Sequence, residues 1–203
     1  MLATAVPEPF TRPGWIFELK YDGFRVLITK QGQSVRLLSR SGRDMIASFP
    51  ELLKELQALP DLTIDGELVV LDEHGGADFE RLRRRSVMRL KKNIDHAAAQ
   101  ESAAVFAFDL LMLAGNDMRQ LPLIERKKAL ARVLKRSARI KYLTHIEEQG
   151  EALFHKVAGL ALEGIIGKLA TSPYVAGRSL NWRKIKTPTG LARDDKRLRH
   201  LRK

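Results

Sequence analysis

Cysteine is absent from the 203-residue chain, which excludes disulfides, thiolate metal sites and thiol chemistry. The five histidines, His74, His96, His145, His155 and His200, fall in no metal-ligand spacing. Long hydrophobic runs are missing too. The best of them, Ala103 to Ala114, is far short of a bilayer span and is interrupted by Asp109, so no segment is expected to cross a membrane. The opening MLATAVPEPF lacks the basic start and apolar core of an export signal, and an intracellular protein is expected. Aromatic residues are only 6% of the chain, and acids are outnumbered, 24 Asp and Glu against 36 Lys and Arg, for a net charge of +12. Such a surface attracts polyanions: nucleic acid or a nucleotide first, an acidic membrane face last. With 44% apolar residues the chain can bury a real core.

From Trp15 the sequence runs in short extended stretches broken by glycine turns: WIFELK, FRVLITK, a QGQ turn and SVRLLSR. A helix is expected from Ser48, which with Glu51 makes a capping-box pattern around Pro50. The strand LTIDGELVVLD ends in the turn-former EHGG. A helix from Asp78 to about Lys92 carries the basic cluster RLRRR, and an alanine-rich loop then leads to the strand AVFAFDLLML. Pro122 opens the helix LIERKKALARVL. A strand over Ile140 to His145, a helix from about Gln149 to Leu160, and the strands EGIIGKL and WRKIK complete the pattern. Helices do not alternate regularly with strands, so the expected class is α+β with mainly antiparallel sheets flanked by helices. Residues 1–187 are expected to form one domain, and residues 188–203, dense in charge, a basic tail that is flexible or loosely helical.

Glu18-Leu-Lys-Tyr-Asp-Gly-Phe-Arg25 places a lysine at the end of an apolar strand beside an aspartate, a glycine and an arginine. An ordinary lysine is almost wholly protonated at neutral pH, and desolvation and nearby cations must lower its pKa before it can attack an electrophile. Arg25 could supply one such cation. Glu18 lies two residues earlier on the same strand face, and Lys184 and Lys186 also share one side of a strand, so two ammonium groups can converge on one anion. Glu67 and Glu163 form an acidic pair, each next to a glycine that lets backbone approach a ligand, and alternation puts Phe106 and Phe108 on one face. Each piece alone has a plainer explanation, such as a solvated lysine, a surface ion pair or a core phenylalanine.

In order, ELKYDGFR, Ser39-Arg40 with Gly42 and Arg43, Asp65-Gly66-Glu67, Phe106-Ala107-Phe108-Asp109, Glu163 to Lys168 and Lys184-Ile185-Lys186 resemble the six-part signature of the covalent nucleotidyltransferases. These are ATP-dependent DNA ligases, RNA ligases and mRNA-capping enzymes, with an ATP-grasp-like core. Within them, DGELVVLD, FDLLML followed by PLIERKKAL, and SPYVAGRSLNWRKIK look most like the ligase domain of bacterial non-homologous end-joining ligases. The likeness covers roughly Gly14 to Thr187. It implies that Lys20 attacks the α-phosphorus of ATP and holds AMP as a phosphoramidate, with Glu18 at the adenine edge and Phe108 stacked on the base. Arg25 and Arg40 would contact ribose and phosphate, where a planar donor fork suits oxygen acceptors. Glu67 would lie near the ribose and a metal, and Glu163 at the metal, Mg²⁺ or Mn²⁺. Lys184, Lys186 and Lys168 would bind the phosphates and neutralise departing pyrophosphate.

The resemblance also implies a substrate, nicked or broken duplex DNA, and partners: an OB-fold, an end-binding protein or a polymerase. Complete ligases of this kind add an OB-fold after this region; none is expected within these residues, so sealing should be weak without an added module. Repair or recombination in the cytoplasm, at the nucleoid when acting, is the implied setting. Two rivals stand beside it: an RNA ligase or capping enzyme, and a basic nucleic-acid-binding protein without catalysis. For RLRRR, Arg81 to Arg85, a solvated helix face and a DNA contact are equally open.

Overall fold

A computed structural model describes residues 1–73 and 75–201, without the side chains of residues 197–201. His74 of the EHGG turn and the last two residues of the basic tail lie outside the described residues. In chain order the strands and helices are β1 (Leu2–Ala5), β2 (Trp15–Leu19), β3 (Phe24–Gln31), β4 (Ser34–Ser39), α1 (Leu53–Gln57), β5 (Leu62–Val70), α2 (Phe79–Ser86), α3 (Lys91–Gln100) and β6 (Ala103–Leu113). They continue with β7 (Asn116–Asp117), α4 (Leu123–Leu134), β8 (Ile140–Tyr142), β9 (Ile146–Glu147), α5 (Gly150–Gly159), β10 (Gly164–Leu169), β11 (Arg178–Lys186) and α6 (Pro188–Leu201). The class is α+β, with mainly antiparallel pairing. Among the described residues neither sheet closes into an OB-fold barrel, and no helix is long and apolar enough to cross a membrane.

Contacts divide the chain into two compact units, Asp22–Leu143 and Met1–Tyr21 with Thr144–Lys203. In the first, strands run in the order β4-β3-β5-β6-β7, with β8 parallel to β6. Val26, Ile28, Leu37, Ile64, Leu68 and Val105 alternate onto one face and meet Leu130 and Leu134 of α4 in a dry core. Burying each such side chain is worth about 1.5–3 kcal/mol. In the second unit the order is β1-β11-β10-β2-β9. Trp15, Phe17, Ile165 and Ile185 form its core with Leu153 and Val157 of α5.

Four local expectations change. Ser48 does not cap a helix: two 3-10 turns, Ile46–Ser48 and Pro50–Leu52, precede α1 without any side-chain cap. Glu51 is drawn away from the Ser48 backbone by the buried Arg85, whose guanidinium grips both carboxylate oxygens at 2.6 and 3.1 Å. The alanine-rich stretch is not a loop but the last turns of α3, as alanine's helix propensity would have it. The strand placed at Ile140 to His145 is only β8, ending at Tyr142. The helix expected from Asp78 to about Lys92 breaks after Ser86, and α3 starts only at Lys91. The segment after Lys186, expected to be flexible or loosely helical, takes the helical form as α6. Thr187 caps it, its hydroxyl accepting from Gly190 N at 3.1 Å, and Pro188 fills the first helical position, where no N–H is needed.

Candidate active site

In the unit containing both ends of the chain, strand alternation sorts residues by chemistry. Register pairs Glu18 with Ile166 and Ile166 with Lys184, Gly164 with Lys186, and Lys168 with both Ile16 and Trp182. Cross-strand partners share a face, so Glu18, Lys168, Lys184 and Lys186 stand on one side while Phe17, Ile165 and Ile185 face the core. Lys20 follows β2 directly, its backbone N–H donating to Gly164 O at 2.9 Å. Gly164 is required there: its φ is +153°, and a Cβ would lie 2.2 Å from Ile185 O.

Lys20 Nζ lies 2.7 Å from Glu163 Oε1, and Lys186 Nζ lies 2.9 Å from the same oxygen. Glu163 is buried, and its second oxygen, Oε2, has no hydrogen-bond partner among the described residues. A buried carboxylate oxygen left bare is costly, so this position suits an incoming donor or a hard cation. Among the described residues no group of three or more His, Asp or Glu could hold a metal ion, so a divalent cation at Glu163 would complete its shell with substrate oxygens and water.

The cations set one another's charge. Burial first, then the charges of Lys186 and Lys20, push the Lys184 ammonium below the ordinary lysine value. Burial acts on Lys186 in the same direction, but hydrogen bonds to Asp194 and Glu163 outweigh it and hold its pKa above the ordinary value. Both Asp194 oxygens lie 2.7 Å from Lys186 Nζ. Lys168 differs from these lysines. Its side chain is 2% exposed, 2.6 Å from Glu18 Oε2, with its ammonium 4.2 Å from the Trp182 ring centroid. It therefore orients Glu18 as much as it adds positive charge.

Residues Asp22–Leu143 carry the other candidates. Arg25 and Glu67 are register partners on β3 and β5, and Glu67 pairs in turn with Phe106. Arg25 forks onto Asp65, Nε to Oδ1 at 3.0 Å and Nη2 to Oδ2 at 2.6 Å, and lies 5.6 Å from the Phe108 ring centroid. Register between β5 and β6 passes from Asp65↔Asp109 to Gly66↔Ala107, leaving Phe108 as the extra residue of a bulge. Bulges re-aim side chains: Phe108 meets Arg25, while the neighbouring Asp109 meets the buried Arg126 of α4 at 2.7 and 2.9 Å. Arg40 stands exposed on the turn after β4, which is closed by Ser39 N donating to Arg43 O and pinned by Arg43 Nη2 donating to Ser86 O.

In the sequence Asp65 and Asp109 stand in the motifs without a role, and Arg126, Trp182 and Asp194 are not among the candidates. The first two were legible as acids inside apolar strands, which demand partners. Asp194 carried no signal.

The arrangement has recognisable relatives. A family model described as the ATP dependent DNA ligase domain matches residues 1–186. The multifunctional non-homologous end joining protein LigD of Pseudomonas aeruginosa is 35% identical over 189 residues, which is 91% of this chain and 21% of that protein. The SPbeta prophage-derived DNA ligase-like protein LigB of Bacillus subtilis is 31% identical over 187 residues, 91% of this chain and 66% of that protein. Among solved structures, a mycobacterial DNA ligase D complexed with ATP and MES is similar with a TM-score of 0.69 at 30% identity, covering 91% of this chain and 60% of that one. The ligase domain of M. tuberculosis LigD gives 0.70 at 29%, covering 91% and 59%. The chain thus spans 21% to 66% of the length of these relatives.

Proposed function

Because the chain belongs to the family of ATP-dependent DNA ligase domains, we propose that it adenylates its own Lys20 from ATP and passes the AMP to a DNA 5′-phosphate. The observation that carries this reading is the meeting of Lys20 and Lys186 on one buried carboxylate oxygen of Glu163, with Lys184 close enough for its charge to be felt. Lys20 Nζ attacks the α-phosphorus, a P–N bond forms, and the P–O bond to pyrophosphate breaks with its electron pair. The amine proton has an acceptor within reach, Glu163 Oε1 at 2.7 Å. Lys184 and Lys186 offset charge on the leaving group, which is most of what such a transfer asks of a protein. A magnesium or manganese ion at Glu163 would supply further Lewis acidity when bound.

The roles assigned to the other residues belong to the same proposal. Glu18, held by Lys168, takes the adenine edge; Phe108 stacks on the base; Arg25 and Arg40 contact ribose and phosphate; Glu67 serves ribose and metal. In the second step a DNA 5′-phosphate oxygen attacks the adenylate phosphorus and the P–N bond breaks. Nicked or broken duplex DNA is the proposed substrate, in intracellular repair or recombination. An OB-fold, an end-binding protein or a polymerase would be the natural co-worker, with sealing weak in their absence.

Incubation with α-labelled ATP and magnesium tests the reading: covalent label appears on the wild type and is absent from Lys20→Ala. An unlabelled wild type, or equal label on both, removes it. Charging by GTP in place of ATP, or transfer to nicked RNA in place of DNA, would move the protein to the capping or RNA-ligase branch.

A further inference from the structure

An ammonium group has three N–H donors, and in this structure three oxygens surround that of Lys186: Glu163 Oε1 at 2.9 Å and both Asp194 oxygens at 2.7 Å. Nothing is left for a phosphate. The two acids are held differently. Glu163 is 4% exposed, and its backbone is clamped by the start of α6: Thr187 N donates to Glu163 O at 3.1 Å, and a Cβ on Gly190 would sit 2.1 Å from that same oxygen. Asp194 comes from the middle of α6 and its side chain is 43% exposed, so it can turn into water, whereas Lys186 at 13% has nowhere else to go.

We propose that Asp194 is an internal substitute for substrate phosphate, occupying the donors of Lys186 until a triphosphate displaces it, so that α6 gates the lysine cluster. This rests on the reading of Lys186 as a phosphate-binding residue. The carboxylate lends the unliganded site a counter-charge among Lys20, Lys184 and Lys186, and an incoming polyphosphate, with more charge and more acceptor oxygens, outcompetes it. Because the pair is partly open to water its strength is modest, which suits a contact that must break in every cycle.

Inorganic triphosphate binding, measured by calorimetry on the wild type, Asp194→Asn and Asp195→Asn, tests the idea. Asp195→Asn makes the same change in net charge one residue along the helix. Asp194→Asn should bind triphosphate roughly two- to tenfold tighter than the wild type, with Asp195→Asn within roughly twofold of it. Binding by Asp194→Asn no tighter than by Asp195→Asn overturns the proposal. Labelling with α-labelled ATP separates this from the catalytic reading. A wild type that labels, with the two variants binding triphosphate alike, sinks the gate and keeps the lysine chemistry. Tighter triphosphate binding by Asp194→Asn with no label on any protein keeps the gate and sinks the chemistry.

Discussion

Glu163 is the residue on which the lysine cluster turns, because one of its oxygens serves both Lys20 and Lys186 and the other is bare. Glu163→Gln keeps the shape and removes the charge; labelling of Lys20 should fall by about 100-fold or more while the melting transition moves little. Lys184 gives a pH test. Its pKa is lowered by burial and by Lys186 and Lys20, so its charged form is disfavoured in the fold. Between that lowered value and the ordinary lysine value of 10.5, the unfolded chain binds more protons, and stability rises with pH. Lys184→Met should therefore be more resistant to urea than the wild type at neutral pH, with the difference closing as pH approaches that upper value. Much at this scale was readable beforehand, since period-2 alternation alone puts Glu18 with Lys20 and Lys184 with Lys186. Asp194 was not, since its partner lies eight positions back on a different kind of element and nothing local marks it.

α6 shows how a charged run becomes an element once its cap is recognised. Thr187→Ala removes the acceptor for Gly190 N and the 2.6 Å bond to Leu162 O, and should cost about 1 kcal/mol, seen as faster amide exchange over the first turn of α6. The T-P pair was in plain sight, but low apolar content left a flexible tail and a loose helix both open. Strands β3 and β4 were legible because buried residues alternate along them, and β2, β5 and β10 as short, almost continuously buried apolar runs. β1 was not: it pairs parallel to β11, a contact between distant positions that no local pattern announces. Long-range partners also decided the Ser48 region, where Arg85, buried over the Phe49 ring, took Glu51. Glu51→Ala strands that cation and should destabilise the protein by about 3–5 kcal/mol in chemical denaturation.

At the scale of the molecule, +12 is distributed unevenly. In RLRRR the cations have acidic neighbours: Arg81 with Asp78, Arg83 with Glu80, Arg84 with Glu101 and Arg85 with Glu51. Arg132 near the end of α4, and Lys135 and Arg136 just after it, are exposed and form no ion pair among the described residues. If duplex DNA is the partner, alanine at these three positions should lower the salt slope of binding by about 2 to 3, while glutamine at Arg83 and Arg84 changes it little. The division into units has a different consequence, for the order of events during synthesis. Asp22–Leu143 is contiguous, whereas β2, which presents Lys20, finds its neighbours only in β9 and β10. A growing chain can complete the first sheet on the ribosome, but β2, which leads directly into Lys20, must wait unpaired until β9 and β10 have emerged. Lys20, the proposed nucleophile, is therefore made well before the groups that surround it, and a nascent chain that has not yet extended through β10 carries it without Glu163 and Lys186.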